Sequence, residues 1–358
     1  MGVVAGALGI LADWWARLLA VRAPGWVRPL LVMAVSSGLA FVHALQPGKS
    51  SDFTVFWAAA HHAFGPVYDV NFITAAQAGL AQGGPRPFEY PPTFLLLILP
   101  LAMLPYRLAY VLWVGASSVA FVECAGRMTR WPWLVMLSPV FMFTALIGQT
   151  TLLVGALLVL ALSPRMSGVW AGAALGLALA MKPQSASLAP VVLCLRLGWR
   201  PAAIAAAVAG LLVLSSLAAF GAGAWEAWLG GLRGFVGVND SLHIARLGAP
   251  SLPGKVAAGV TALGLMVWSV RAGDELAASA SAIGGALLIS PHAPFYEVTM
   301  LLPAAVAWLW RPTWRIVPAL AMLAGWIETP LMLAAWLATA APWGAPARRP
   351  RHARSPAP

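Results

Sequence analysis

Long apolar runs, cut by single prolines, glycines and arginines, set the pattern of this chain. A membrane-spanning helix needs about 20 consecutive apolar residues. By that measure the candidate segments are residues 28–46, 92–105, 107–124, 131–147, 150–163, 168–181, 184–196, 201–220, 255–271, 275–290, 294–310, 313–327 and 329–341. Several are short, and Pro100, Pro105, Pro139, Gly148, Pro183 and Pro303 interrupt them. Irregular backbone at membrane depth is tolerated where it is buried in protein or lines a cavity. Short, broken helices therefore predict an internal cavity. The fold class expected is an all-α integral membrane protein, a polytopic bundle of about 10–13 transmembrane helices.

Two long polar stretches separate the runs, residues 47–91 and 221–254, both rich in aromatics, Gly and Pro. They read as ordered extracytoplasmic loops with short interfacial helices. In the first, "SSDF" precedes Phe53, Phe56, Trp57, Ala60 and Phe64 at helical spacing. That stripe predicts an amphipathic helix on the membrane surface. The first residues, with Asp13, Trp14 and Trp15, read as another interfacial helix. Residues 1–340 form one membrane domain, followed by a basic, disordered tail at 341–358.

Composition agrees. Hydrophobic residues make up 61% and charged residues only 9%, against roughly 25% charged in a soluble domain. The net charge of +11 comes almost wholly from arginines at the ends of apolar runs. That is membrane anchoring by positive charge, and it argues against nucleic acid as a partner. Arg17, Arg22 and Arg28 put the N-terminus in the cytoplasm and residues 47–91 outside. Arg311 and Arg315 put "SPHAPFYE" on the same outer face as Asp52. Nine candidate segments lie between Asp52 and His292, however, and an odd count separates them. One segment must be re-entrant, with 184–196 as the shortest or 150–163, or two segments must merge. Arg127 and Arg130 do not fit simple alternation.

Against this apolar background the ionisable residues stand out. Asp52 is one of 11 acids. It reads locally as a helix N-cap with a lowered pKa, or as a general base at the lipid–water boundary. Tyr90, before Pro91–Pro92, reads as an interfacial anchor, and Arg86 lies in the same loop. Gln149 follows Gly148 between two apolar runs, as an interhelical hydrogen-bond partner or a cavity contact. Lys182 is one of three lysines and sits at the Pro183 break, snorkelling or meeting a phosphate. His292, Tyr296 and Glu297 cluster in "ISPHAPFYEVTM". Asn239, Asp240 and His243 read as a solvated turn or an acceptor loop. Cys124 and Cys194 lie in apolar runs and support neither a disulfide framework nor a metal site. No motif for a cofactor is present.

The ordered set "DFTVFWAAA", "PFEYPPTFLLLILPLAMLP", "GQTTLLVGALLVLAL", "AGAALGLALAMKPQ" and "SPHAPFYEVTMLLPAAV" resembles glycosyltransferase family 87, of the C-type glycosyltransferase superfamily. The resemblance spans roughly residues 28–310. It implies a membrane enzyme moving a hexose, with mannose favoured, from a polyprenyl-phosphate-sugar donor to a glycolipid or glycan acceptor. It implies Asp52 as catalytic base, His292 and Tyr296 near donor or acceptor, and Lys182 and Gln149 lining the cavity. Glu297 stands where aspartate is expected. Metal and cofactor are not required. A multi-pass protein of the bacterial cell membrane follows, its active site facing outward. A lipid-linked-sugar flippase or polysaccharide-export transporter is the alternative; the inverted repeats and paired mid-membrane acids common in transporters are not evident.

Overall fold

The computed structural model describes residues 25–45, 52–80, 86–241, 245–310 and 315–342. The expected N-terminal interfacial helix, most of the tail, and the side chains of Asn239, Asp240 and His243 lie outside the described residues. The chain is an all-α membrane protein. In order its helices are α1 (Val27–Leu45), α2 (Phe53–His61), α3 (Val70–Ala76), α4 (Pro92–Ile98), α5 (Tyr106–Ala125), α6 (Pro139–Leu146), α7 (Thr151–Leu162) and α8 (Gly168–Met181). There follow α9 (Pro183–Ala186), α10 (Ala189–Leu197), α11 (Arg200–Ser241), α12 (Leu252–Arg271), α13 (Glu275–Ile289), α14 (Leu302–Leu309), α15 (Ile316–Leu323) and α16 (Pro330–Ala340). Tight 3-10 segments extend α4 (Leu99–Met103) and lead into α6 (Pro132–Leu137) and α14 (Phe295–Leu301). Prolines open α4, α6, α9 and α16, where the missing N–H costs nothing. Asp69, Ser251, Asp274 and Thr329 cap helices with their side chains.

Four helices are long and apolar enough to cross a membrane: Val27–Leu45, Tyr106–Ala125, Arg200–Leu232 and Leu252–Arg271. Six shorter apolar helices accompany them among the described residues.

Side-chain contacts give each helix a direction. Arg28 pairs with Glu123, so the start of α1 meets the end of α5. His43, near the end of α1, faces Tyr110 near the start of α5. The Arg196 guanidinium donates to the carbonyl of Leu162 and pairs with Glu275, joining the ends of α10 and α7 to the start of α13. Arg315 pairs with Asp274 at that same end. Asp52, Tyr90, Gln149, Lys182 and Tyr296 meet at the other.

These directions resolve the odd segment count, and they correct the expectation about it. Segment 92–103 does not cross. Its start lies on α2, where Tyr90 and Phe94 pack on Phe56. Its far end lies there too, since Trp57 Nε1 donates to the Leu104 carbonyl (2.9 Å) and Thr54 bonds Tyr106 (2.9 Å). Twelve residues reach only about 18 Å as a helix, short of a hydrocarbon core of about 30 Å. Segment 184–196 runs from the Lys182 end to the Leu162 end in two pieces, α9 and α10. Arg127 and Arg130 then fall at the end that also carries Arg28, Arg165, Arg196 and Arg315.

Two further departures concern the polar stretches. Helix α2 is not a surface helix: seven of its nine residues are buried. The 92–103 hairpin covers one side and α5 another, so its small alanines are packed as well as its aromatics. Residues 222–241 are helical rather than loop, set off from residues 200–220 by the break at Gly221 (φ 76°, ψ 171°). Across the far half, α8 and α11 lie very close. A β-carbon on Gly172 would stand 2.5 Å from the Pro201 carbonyl, and one on Gly176 2.7 Å from that of Ala205. Small residues at every fourth position permit this approach where lipid supplies no hydrophobic drive between helices.

Candidate active site

Asp52 occupies the N-cap position of α2, yet its side chain caps nothing. The neighbouring acid Asp69 does cap, accepting from the Phe72 N–H. Asp52 is instead buried and bound sideways: Gln149 Nε2 donates to Oδ2, and Arg86 pairs with Oδ1. The Phe53 N–H donates to the Ile147 carbonyl (3.1 Å), tying the α2 start to the Gly148 turn. Gly148 has φ +69°, and a β-carbon there would meet the Phe53 Cβ at 2.6 Å. Only glycine fits that turn without strain. The turn delivers Gln149.

Gln149 is the hub. Its Nε2 donates both to Asp52 and to the Tyr296 hydroxyl (3.1 Å), while its Oε1 accepts from the Tyr90 hydroxyl (3.0 Å). Tyr90 also bonds Thr150 (3.0 Å), and its ring packs against Phe56 and Phe94. Both protons and the carbonyl of the Gln149 amide are thereby engaged in a buried network.

Lys182 sits at the break between α8 and α9, as the Pro183 position predicts. Its amino group pairs with Glu297 and lies 5.7 Å from the Tyr90 ring centroid. Glu297 has no exposed surface, and Thr151 and Ser185 each donate to it at 3.1 Å. It is therefore walled in, and Lys182 is its cation.

His292 is farther out. Its Nε2 lies 3.7 Å from Glu89, and the loop is held by Ser290, whose hydroxyl donates to the His292 carbonyl (2.7 Å). Trp228, beyond the Gly221 break, donates to the Glu89 carbonyl (3.1 Å).

Exposure grades outward through these pairs. The Asp52 and Arg86 side chains are 6% and 26% exposed, while His292 and Glu89 are 21% and 22%. Burial pushes the Asp52 carboxyl above its ordinary range, and Arg86, Gln149 and Lys182 pull against that. Burial, then the Lys182 and Arg246 charges, push His292 down to about 4. The imidazole is neutral at pH 7.

The structure thus brings Asp52, Arg86, Tyr90, Gln149, Lys182, His292, Tyr296 and Glu297 to one end of the bundle. His61 and His62 lie exposed outside the network. Sequence reasoning missed Glu89, although it stands in the quoted "FEYPP" as one of few acids. It also missed Thr150, Thr151 and Ser185, whose only signal was adjacency to Gln149 and Lys182. Among the described residues no three His, Cys, Asp or Glu side chains converge as a metal would require.

Such a site combines a buried carboxylate, a half-exposed arginine beside it and a neutral histidine at the rim. It can accept a proton from a hydroxyl and hold an anion nearby. No curated protein and no solved structure matches the chain. The model of glycosyltransferase family 87 matches residues 88–291, more than half of the sequence. The match holds Glu89, Tyr90, Gln149 and Lys182; Asp52 and Arg86 lie before it, and His292, Tyr296 and Glu297 just after. The chain belongs to glycosyltransferase family 87 and is a membrane glycosyltransferase.

Proposed function

We propose that this glycosyltransferase moves a hexose, with mannose favoured, from a polyprenyl-phosphate sugar to a glycolipid or glycan acceptor. Asp52 acts as general base. The observation that carries the reading is the Asp52 carboxylate, buried, raised in pKa, and bound by Gln149 and by the partly exposed Arg86. A raised pKa makes a carboxylate a better proton acceptor while it stays ionised.

The step balances simply. Asp52 takes the acceptor hydroxyl proton as the acceptor oxygen attacks the anomeric carbon. The bond from that carbon to the phosphate oxygen breaks with inversion, and polyprenyl phosphate leaves carrying the electron pair. A phosphate is a stable anion and needs no strong acid to depart. Arg86, on the exposed side of Asp52, steadies the growing charge. Neutral His292 and the hydroxyls of Tyr90 and Tyr296 orient sugar hydroxyls. Lys182 adds positive potential from within, with Glu297 fixing its position.

The arginine distribution supports an outward-facing site in the cell membrane. Arg28, Arg127, Arg130, Arg165, Arg196 and Arg315 lie at the end of the bundle away from Asp52. Positive charge favours the cytoplasmic side.

The test is Asp52→Asn in membranes supplied with a radiolabelled polyprenyl-phosphate mannose. Loss of transfer is expected, and full retained transfer would remove Asp52 as base. Lipid-linked sugar crossing the membrane with no glycosidic product would favour the flippase reading instead.

A further inference from the structure

Residues 86–90 carry Arg86 and Tyr90 to the site, yet they form neither helix nor strand. Backbone carbonyls without such partners need others. Here side chains supply them. The Tyr68 hydroxyl donates to the Tyr90 carbonyl (3.1 Å), Trp228 Nε1 to the Glu89 carbonyl (3.1 Å), and Gln77 Nε2 to the Arg86 carbonyl (2.7 Å). Tyr68 and Gln77 flank α3, and Trp228 lies in α11.

The Gln77 tie is the one that sets Arg86. Gln77 ends α3 as its C-cap and is 4% exposed. Its Nε2 also donates to the Ile73 carbonyl, one turn back on the same helix, at 2.9 Å. Each amide proton therefore meets one carbonyl. Those two carbonyls fix which way the amide faces, since a flipped amide would set its oxygen against both. The Ile73 bond holds the side chain to its helix, and the second proton points across to Arg86. An apolar side chain could fill the same space but could not restrain the Arg86 backbone. That restraint matters, because an arginine side chain has about 2 kcal/mol of rotamer entropy to lose. The pair with Asp52 is made from a segment with no helix or strand to steady it.

We infer that Gln77 is a positioning residue for sugar transfer, holding the Arg86 backbone where its guanidinium meets the Asp52 carboxylate. The inference rests on the Asp52 reading proposed above. Gln77 acts through Arg86 and is not itself catalytic. The charges acting on Asp52 are those of Arg86 and Lys182, with the hydroxyls of Tyr90 and Tyr296, uncharged at neutral pH, beside them. Lys182 is held by Glu297. Arg86 is the one whose backbone Gln77 holds. Its charge lowers the Asp52 pKa, so releasing it should raise the pH at which the carboxylate takes up a proton.

The experiment measures transfer from radiolabelled polyprenyl-phosphate mannose, as a function of pH, in membranes holding the full-length protein. Gln77→Met should lower the neutral-pH rate by about 3- to 10-fold, the worth of one hydrogen bond, and move the acid limb to higher pH. Gln77→Asn keeps an amide but is one methylene too short to reach both carbonyls. It is the gentler change for folding and should move the limb the same way. On an Arg86→Met background, Gln77→Met should add nothing further. An acid limb that stays in place in both Gln77 variants would overturn the inference. So would a loss from Gln77→Met that adds in full to that of Arg86→Met, the mark of a structural part. Asp52→Asn that keeps the acid limb would overturn the base reading beneath, and the inference with it, whatever the Gln77 variants do.

Discussion

Two ion pairs lie within one network, and they differ in what closes them. Lys182 and Glu297 are 5% and 0% exposed, and two hydroxyls complete the carboxylate. Asp52 and Arg86 are 6% and 26% exposed, and one side of the pair reaches the rim. The first pair bridges the Pro183 break to the 3-10 segment at Phe295–Leu301. A sealed pair is costly to form and costlier to halve. It serves as a brace. The second pair can exchange a partner with an entering ligand at little cost, since its arginine already meets the rim. It belongs to chemistry.

Asp52→Asn gives the sharpest separation. Transfer should fall by about 10²–10⁴-fold, the worth of a positioned base, while the purified protein keeps its melting temperature. Burial makes the Asp52 charge less favourable in the folded chain than in the unfolded one, so replacing the carboxylate by its neutral isostere carries no large folding penalty. A variant that unfolds would erase the distinction between the pairs. Glu297→Gln should do the reverse and destabilise by about 3–5 kcal/mol, because it strands a buried ammonium. Thermal unfolding in detergent reads this, and Lys182→Met with Glu297→Met together should recover most of it. Gly148→Ala tests the link between the pairs. It forces an alanine to positive φ against Phe53 and should cost about 1–3 kcal/mol, with transfer reduced as Gln149 shifts. The smallest effect concerns pH. His292 ordinarily titrates near 6.5 and here near 4, so the folded state resists its protonation. Its contribution is fully present above pH 6.5 and is lost as pH falls toward 4. His292→Gln should flatten the fall in melting temperature across that window.

Much of the fold was legible because lipid imposes a simple rule on apolar length. The expected segment 107–124 became Tyr106–Ala125, and 168–181 became Gly168–Met181. What sequence could not reveal was which short segment fails to cross. Segments 92–105 and 184–196 are almost equally long and apolar, and only contacts of their ends with α2 or α7 tell them apart. The site was legible in its members, since ionisable residues in a chain this apolar need a reason to exist. Its wiring was not. Asp52 and Asp69 look alike as helix starts, yet one caps and the other turns away to Gln149, a difference made by a turn 95 residues downstream at Ile147–Gly148. The aromatic stripe of α2 likewise gave its helical period but not its burial, because alanines on the remaining faces fit buried and exposed settings equally.

The 92–103 hairpin carries a consequence for biogenesis. A segment that ends where it began is not a stop for the insertion machinery, and its apolar residues find their place only once α2 and α5 are there to receive them. It forms a wedge whose two ends both lie on the Asp52 side. A cysteine at the highly exposed Met103 and one at the exposed His62 should then be labelled by a membrane-impermeant thiol reagent from the same face of intact cells; labelling of the two from opposite faces would mean that the wedge is a true crossing.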